Sequence, residues 1–201
     1  MRSDPASPRL TQLTDNLSRH SAEAADVQLT DSGEDGVVYN GIPDWVSEEE
    51  VFEDNKALWW SPDGGKLVYG VFNDTLVRSV TLPRYGSWHS QKLDGQGYPY
   101  FQYPVMQTIK YPKSGTTNPT VSLWVASLGP PGSDSPVRQE RLRGPASLQG
   151  AEHHFTELSW RDNTSLSVIW MNRSDNLVAN LTNCQICSIL CSTTGSRTCP
   201  P

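Results

Sequence analysis

Glu48, Glu49 and Glu50 stand in a row between Trp45 and Val51-Phe52, and no other stretch of the chain crowds so much charge of one sign among large apolar residues. An ammonium group carries three donors, and two carboxylates can satisfy at least two of them with charge-assisted hydrogen bonds. Crowded carboxylates repel, and a bound cation relieves that repulsion. On this reading two adjacent carboxylates of the run face a cavity and bind an ammonium group, with Trp45 and Phe52 anchoring the segment in the fold. A plainer reading uses the same residues as a solvated, capped helical turn. Ser47 and Glu50 have capping-box spacing, Asp44 is an alternative cap, and Glu48 and Glu49 suit the positive end of a helix. The residues alone leave both readings open.

Other chemistry is missing from the sequence. No Gly-x-Ser-x-Gly elbow occurs, and His20, His89, His153 and His154 fall in no triad order. No Walker loop, dinucleotide fingerprint or His-Glu-x-x-His pattern is present, so no catalytic residue, cofactor or catalytic metal is expected. Cys184, Cys187, Cys191 and Cys199 crowd the end of the chain. A zinc knot usually needs two Cys-x-x-Cys knuckles, and only Cys184–Cys187 supplies one, which favours disulfides. Cys191 and Cys199 bracket a Gly-containing turn that suits a hairpin bridge. Asn16, Asn73, Asn163, Asn172 and Asn180 each open an Asn-x-Ser/Thr sequon, an excess over chance that points to the secretory route.

Composition supports an all-β chain. Fifteen Gly, fifteen Pro and seven Trp go with many short strands and turns. The net charge of −6 argues against a nucleic-acid partner. No window of the sequence is apolar enough to span a membrane, and the first residues lack a signal-peptide core.

In chain order, residues 1–26 form a poorly patterned segment with one strand expected near 10–14 and a loop over 16–26. From Val27 the pattern is legible. Val27–Thr30 and Val37–Ile42 are expected strands, and residues 44–52 a short helix or 3₁₀ turn. Residues 57–60 and 66–72 form a hairpin across Ser61-Pro62-Asp63-Gly64-Gly65, where Pro and Gly meet the demands of a tight turn. A strand opening on Trp and turning through Ser-Pro-Asp-Gly is the punctuation of a β-propeller blade. Strands are also expected over 76–82, 121–126, 154–160, 166–170, 177–181 and 186–190, with a long loop over 83–101 and a connector over 129–150. Trp60 and Trp160 lie 100 residues apart, which suits one long blade with insertions or two ordinary ones. A propeller ring needs more blades than 201 residues supply, so the chain reads as two to four blades of a larger protein.

Over residues 27–201 the chain resembles the dipeptidyl peptidase IV family. The resemblance rests on Tyr39-Asn40-Gly41-Ile42-Pro43-Asp44-Trp45-Val46, Glu48-Glu49-Glu50-Val51-Phe52 and Leu58-Trp59-Trp60-Ser61-Pro62-Asp63-Gly64. It continues through Phe72-Asn73-Asp74-Thr75, Tyr111-Pro112-Lys113-Ser114-Gly115 and Asn118-Pro119-Thr120-Val121. It implies a partial β-propeller from an eight-bladed ring, joined in the family to an α/β-hydrolase domain in a membrane-anchored ectodomain. Family enzymes remove N-terminal dipeptides with Pro or Ala second, and some form homodimers. Their last two motif glutamates grip the peptide's α-amine, which maps to Glu49 and Glu50. The resemblance also implies a Cys191–Cys199 disulfide and glycosylation at Asn73. Ser47 departs from the Tyr of many relatives, and Cys184 and Cys187 lack a counterpart. The blades that supply a substrate-binding arginine lie outside the chain, and inactive, channel-associated members keep much of the motif.

Overall fold

The structure, a computed structural model, describes residues 9–13, 16–20, 27–85, 104–129 and 137–185. Its strands are β1 (Arg9–Leu13), β2 (Asn16–His20), β3 (Val27–Gln28), β4 (Val38–Asn40), β5 (Leu58–Trp60), β6 (Lys66–Asn73) and β7 (Ser79–Arg84). They continue with β8 (Val105–Lys110), β9 (Thr120–Ser127), β10 (Arg138–Leu142), β11 (His153–Trp160), β12 (Ser165–Asn172) and β13 (Val178–Gln185). Pairing is antiparallel throughout. β1-β2-β3 and β11-β12-β13 are meanders, and between them lies the sheet β10-β9-β6, whose far side carries both β4 and β5. Three successive antiparallel sheets, with no closed barrel among the described residues, make this a partial β-propeller.

The middle blade explains the 100-residue spacing of Trp60 and Trp160. It is one long blade with two excursions. One leaves between β4 and β5, ahead of Trp60; the other, between β6 and β9, forms the separate β7–β8 ribbon and lengthens the interval between the two tryptophans. The ribbon corrects two expectations. The strand expected over 76–82 runs from Ser79 to Arg84 and, among the described residues, pairs only with β8, which was not foreseen. The 129–150 connector contains β10, the blade's outer strand, whose sequence Arg-Gln-Glu-Arg-Leu is mostly exposed and so carries no apolar alternation. Asn16–His20, expected as loop, is a strand because it pairs on both sides, with β1 and β3.

Sheet faces set the core. On β6, Leu67, Val68, Tyr69 and Phe72 are all buried, since both faces of a blade meet a neighbour and alternation is lost. Val68, Phe72, Leu123 and Val125 pack against Phe155, Leu158, Leu166, Val168 and Trp170 of the following blade. Leu67, Tyr69 and Ala126 face the other way, onto Leu29. Equivalent aspartates close both hairpins. Asp63 Oδ1 accepts from Ser61 Oγ at 2.7 Å and Gly65 N at 3.0 Å, with Gly64 at φ 70°. Asp162 Oδ1 accepts from Thr164 N at 2.7 Å and Ser165 N at 2.8 Å. These bonds hold both carboxyls below the ordinary value, the Ser61 hydroxyl leading at Asp63 and the Thr164 amide at Asp162.

Candidate functional site: the acidic excursion

The acidic residues leave the sheet and return to it at a single point. β4 pairs with β6 up to Asn40↔Val71, and β5 resumes at Leu58↔Tyr69, so only Gly70 separates the two halves. Three backbone bonds close this neck: Gly41 N to Gly70 O at 2.7 Å, Gly70 N to Ala57 O at 2.8 Å, and Ala57 N to Gly41 O at 2.9 Å. Gly41 holds φ at 74°, a value glycine adopts without strain. A Cβ on Gly70 would lie 2.7 Å from Phe72 Cε2 and 3.2 Å from Phe155 Cζ, so the neck has no room for another side chain. A glycine inside a strand pattern is the one signal that could have pointed there.

Beyond the neck the chain enters a helical turn at Trp45 and continues as a π-helical turn, Ser47–Phe52, a geometry frequent at functional sites. Asp44 is the cap. Its Oδ2 accepts from Val46 N at 3.1 Å and Ser47 N at 3.4 Å, while its carbonyl accepts from Glu48 N at 2.8 Å. Ser47 sits inside the turn and is buried, so the capping box expected from Ser47 and Glu50 does not form. Glu53 ends the turn with φ 52°, the left-handed exit common at helix ends.

Phe52 is the anchor. It lies 5.3 Å from the Phe155 ring, 6.0 Å from Phe72 and 6.3 Å from Trp59, in a tilted aromatic cluster that ties the turn to two blades. Trp45, expected as a second anchor, is 56% exposed and holds nothing down. Neighbouring turn residues therefore divide between a half-buried ring packed on the core and open carboxylates. Glu49 and Glu50 are both exposed, and among the described residues no side chain bonds to either carboxylate. The structure places them on two different hollows. Glu49 lines an open one of about 590 Å³ with Glu48, Glu53 and Asp54. Glu50 lines a cleft of about 360 Å³ between the turn and the next blade, with Asp44, Glu152, His153, His154, Arg173 and Asp175 among its other walls.

Two buried acids behind the turn escaped the sequence reading as a pair. Asp44 is 1% exposed and Asp74 2% exposed, and among the described residues each has an Oδ1 without a hydrogen-bond partner. Burial raises both carboxyls, and the nearby Asp44 charge helps push Asp74 up to about 7, against the pull of Lys110. A carboxyl whose folded value lies above its unfolded one favours the fold most in acid. Asp74 therefore contributes stability below about pH 4 that is lost as pH rises towards about 7. Asp74→Asn, which stays neutral, should melt with the wild type near pH 4 and above it near pH 8. The gap should reach roughly 2–4 kcal/mol, and a gap that stays constant across this range contradicts the assignment.

Other expected sites are dispersed. Asn163 is exposed in the β11–β12 turn, while Asn73 and Asn172 are half-buried at strand ends. Asn16 lies on β2, and Asn180 and Cys184 on β13. Cys187, Cys191 and Cys199 lie outside the described residues, as does the strand expected over 186–190. Among the described residues no group of three or more His, Cys, Asp or Glu could hold a metal ion, and no helix is long and apolar enough to cross a membrane.

Comparison with known proteins fits this geometry. Residues 16–194 match the family model described as "Dipeptidyl peptidase IV (DPP IV) N-terminal region". The chain belongs to the dipeptidyl peptidase IV family. It is 39% identical over 152 residues to venom dipeptidyl peptidase 4 of Vespa velutina, covering 75% of this chain and 18% of that protein. It is 36% identical over 171 residues to inactive dipeptidyl peptidase 10 of Rattus norvegicus, covering 85% of this chain and 19% of that protein. The crystal structure of Porphyromonas gingivalis dipeptidyl peptidase 4 superposes with a TM-score of 0.65 at 24% identity, over 86% of this chain and 22% of that one, a likeness of fold. The chain thus spans about a fifth of the length of these dipeptidyl peptidase IV relatives.

Proposed function

We propose that this chain is the amine-recognising part of the propeller of a serine exopeptidase that removes Xaa-Pro or Xaa-Ala dipeptides from peptide N-termini. Glu49 and Glu50 bind the substrate's α-amine, and an α/β-hydrolase domain outside this sequence supplies the nucleophile. The observation that carries the reading is the fixed presentation of two carboxylates that no described side chain uses. A neck of three backbone bonds, the Asp44 cap and the Phe52 anchor hold the turn, so its charge is organised before a ligand arrives. The sequons and clustered cysteines support an extracellular or plasma-membrane ectodomain, with Cys191 and Cys199 bridged and the sequons glycosylated.

A second reading has one observation in its favour. The match to an inactive relative extends over more of this chain than the match to the venom enzyme. On that reading the same propeller serves a non-enzymatic binding protein. Turnover of Gly-Pro and Ala-Pro anilides separates the two. The complete protein should cleave both, and the 201-residue chain, which contains no serine elbow, should cleave neither. A complete, folded protein without turnover overturns the enzymatic reading in favour of the second. Activity that tracks the isolated chain through purification and falls with a substitution in it overturns the division of labour.

A further inference from the structure

The cleft beside Glu50 holds more carboxylate than its own cations use. Glu152 is paired with Arg173 Nη1, and Arg173 Nη2 also donates to Thr116 O at 2.6 Å. Asp175 Oδ1 lies 3.3 Å from His154 Nε2, and burial holds that imidazole below its ordinary value, so it adds little charge at neutral pH. Asp44 and Glu50 remain. Asp44 lines the cleft at 1% exposure with Oδ2 spent on the cap and Oδ1 unpartnered among the described residues. Burial raises the Asp44 carboxyl, so its charged form gains from a cationic partner that restores the lost solvation. A buried carboxylate oxygen without a donor is costly, and a cationic donor entering the cleft removes that cost.

We propose that this cleft is a subsite for a basic side chain, a guanidinium or ammonium, carried by the first residue of a bound peptide. The proposal rests on the reading above, in which the α-amine of that residue lies at Glu49 and Glu50. Glu50 and Asp44 both line the cleft, so an amine held at Glu50 leaves the attached side chain in the same cleft as Asp44. Val46, Val51 and Met171 line the way and suit an aliphatic stem. Lysine or arginine in first position is therefore favoured over a neutral residue of the same length.

The test is calorimetric binding of three dipeptides to the complete protein: Arg-Pro, citrulline-Pro and N-acetyl-Arg-Pro. Citrulline keeps the shape of arginine and removes its charge. Arg-Pro should bind about tenfold more tightly than citrulline-Pro. Asp44→Asn, whose new side chain still caps a helix, should bring that ratio to about 1 while N-acetylation remains harmful. Equal binding of Arg-Pro and citrulline-Pro by the wild type overturns the subsite without recourse to any variant. A tenfold ratio that survives in folded Asp44→Asn overturns it also. If N-acetylation is harmless while the Arg-to-citrulline ratio persists and depends on Asp44, the subsite stands and the α-amine assignment fails.

Discussion

Phe155→Ala is expected to lower stability by about 3–5 kcal/mol, the range for removing a large aromatic side chain from a closed core. Phe155 is buried on β11, with ring centroids 5.3 Å from Phe52, 5.5 Å from Trp170 and 6.0 Å from both Trp59 and Phe72. It therefore touches the following blade's own core, the middle blade and the acidic excursion together. Its loss opens a cavity at the meeting point of two sheets and strips Phe52 of its nearest ring. Chemical denaturation should show the drop, and hydrogen exchange across residues 41–57 should quicken more than in β9. Leu82→Ala, on the exposed β7–β8 ribbon, is the control and should change stability by no more than about 0.5 kcal/mol. A loss below about 1 kcal/mol for Phe155→Ala would mean that the blades do not lean on this cluster.

That coupling accounts for much of what the sequence could and could not announce. The Ser61–Gly65 turn, the strands that end on Trp60 and Trp160 and the β11–β12 hairpin were readable because local chemistry decides them. Asp63 and Asp162 each hold their own turn by bonds two or three residues away. β10 and β8 were not readable, since exposed edge and ribbon strands carry no apolar period. The neck was hidden for a different reason. Gly41, Ala57 and Gly70 are distant in sequence, and nothing local says that they share three bonds. The acidic run was legible as charge and spacing, yet its capping was settled by tertiary placement. Asp44 lies deep enough to spend one oxygen on the cap and leave the other bare, whereas Ser47 is folded into the turn.

Glu50→Gln carries the other large effect. The substitution keeps the size of the side chain and part of its hydrogen bonding but removes the charge. In an enclosed site, losing one charge-assisted partner of an ammonium costs roughly 2–4 kcal/mol, about 30- to 1,000-fold in kcat/KM of the complete protein. Stability should change little, because Glu50 is exposed and bonds to no described side chain. Ser47→Ala supplies the contrast. Ser47 is buried against the capped turn, so its loss should cost up to about 1 kcal/mol of stability with near-normal turnover by the folded fraction.

Recognition of the amine itself is tested most directly by measuring kcat/KM for an Ala-Pro anilide and its N-acetyl derivative, with wild type and Glu50→Gln, on the complete protein. Acetylation removes the ammonium that Glu49 and Glu50 are assigned to hold. The wild type should lose at least about 100-fold on acetylation, and the variant should lose roughly tenfold less, because one of the two charged partners is already gone. The same loss in both proteins, with Glu50→Gln melting early yet turning over the free-amine substrate near normally, would contradict the account. Glu50 would then serve the fold, and the amine would be bound elsewhere.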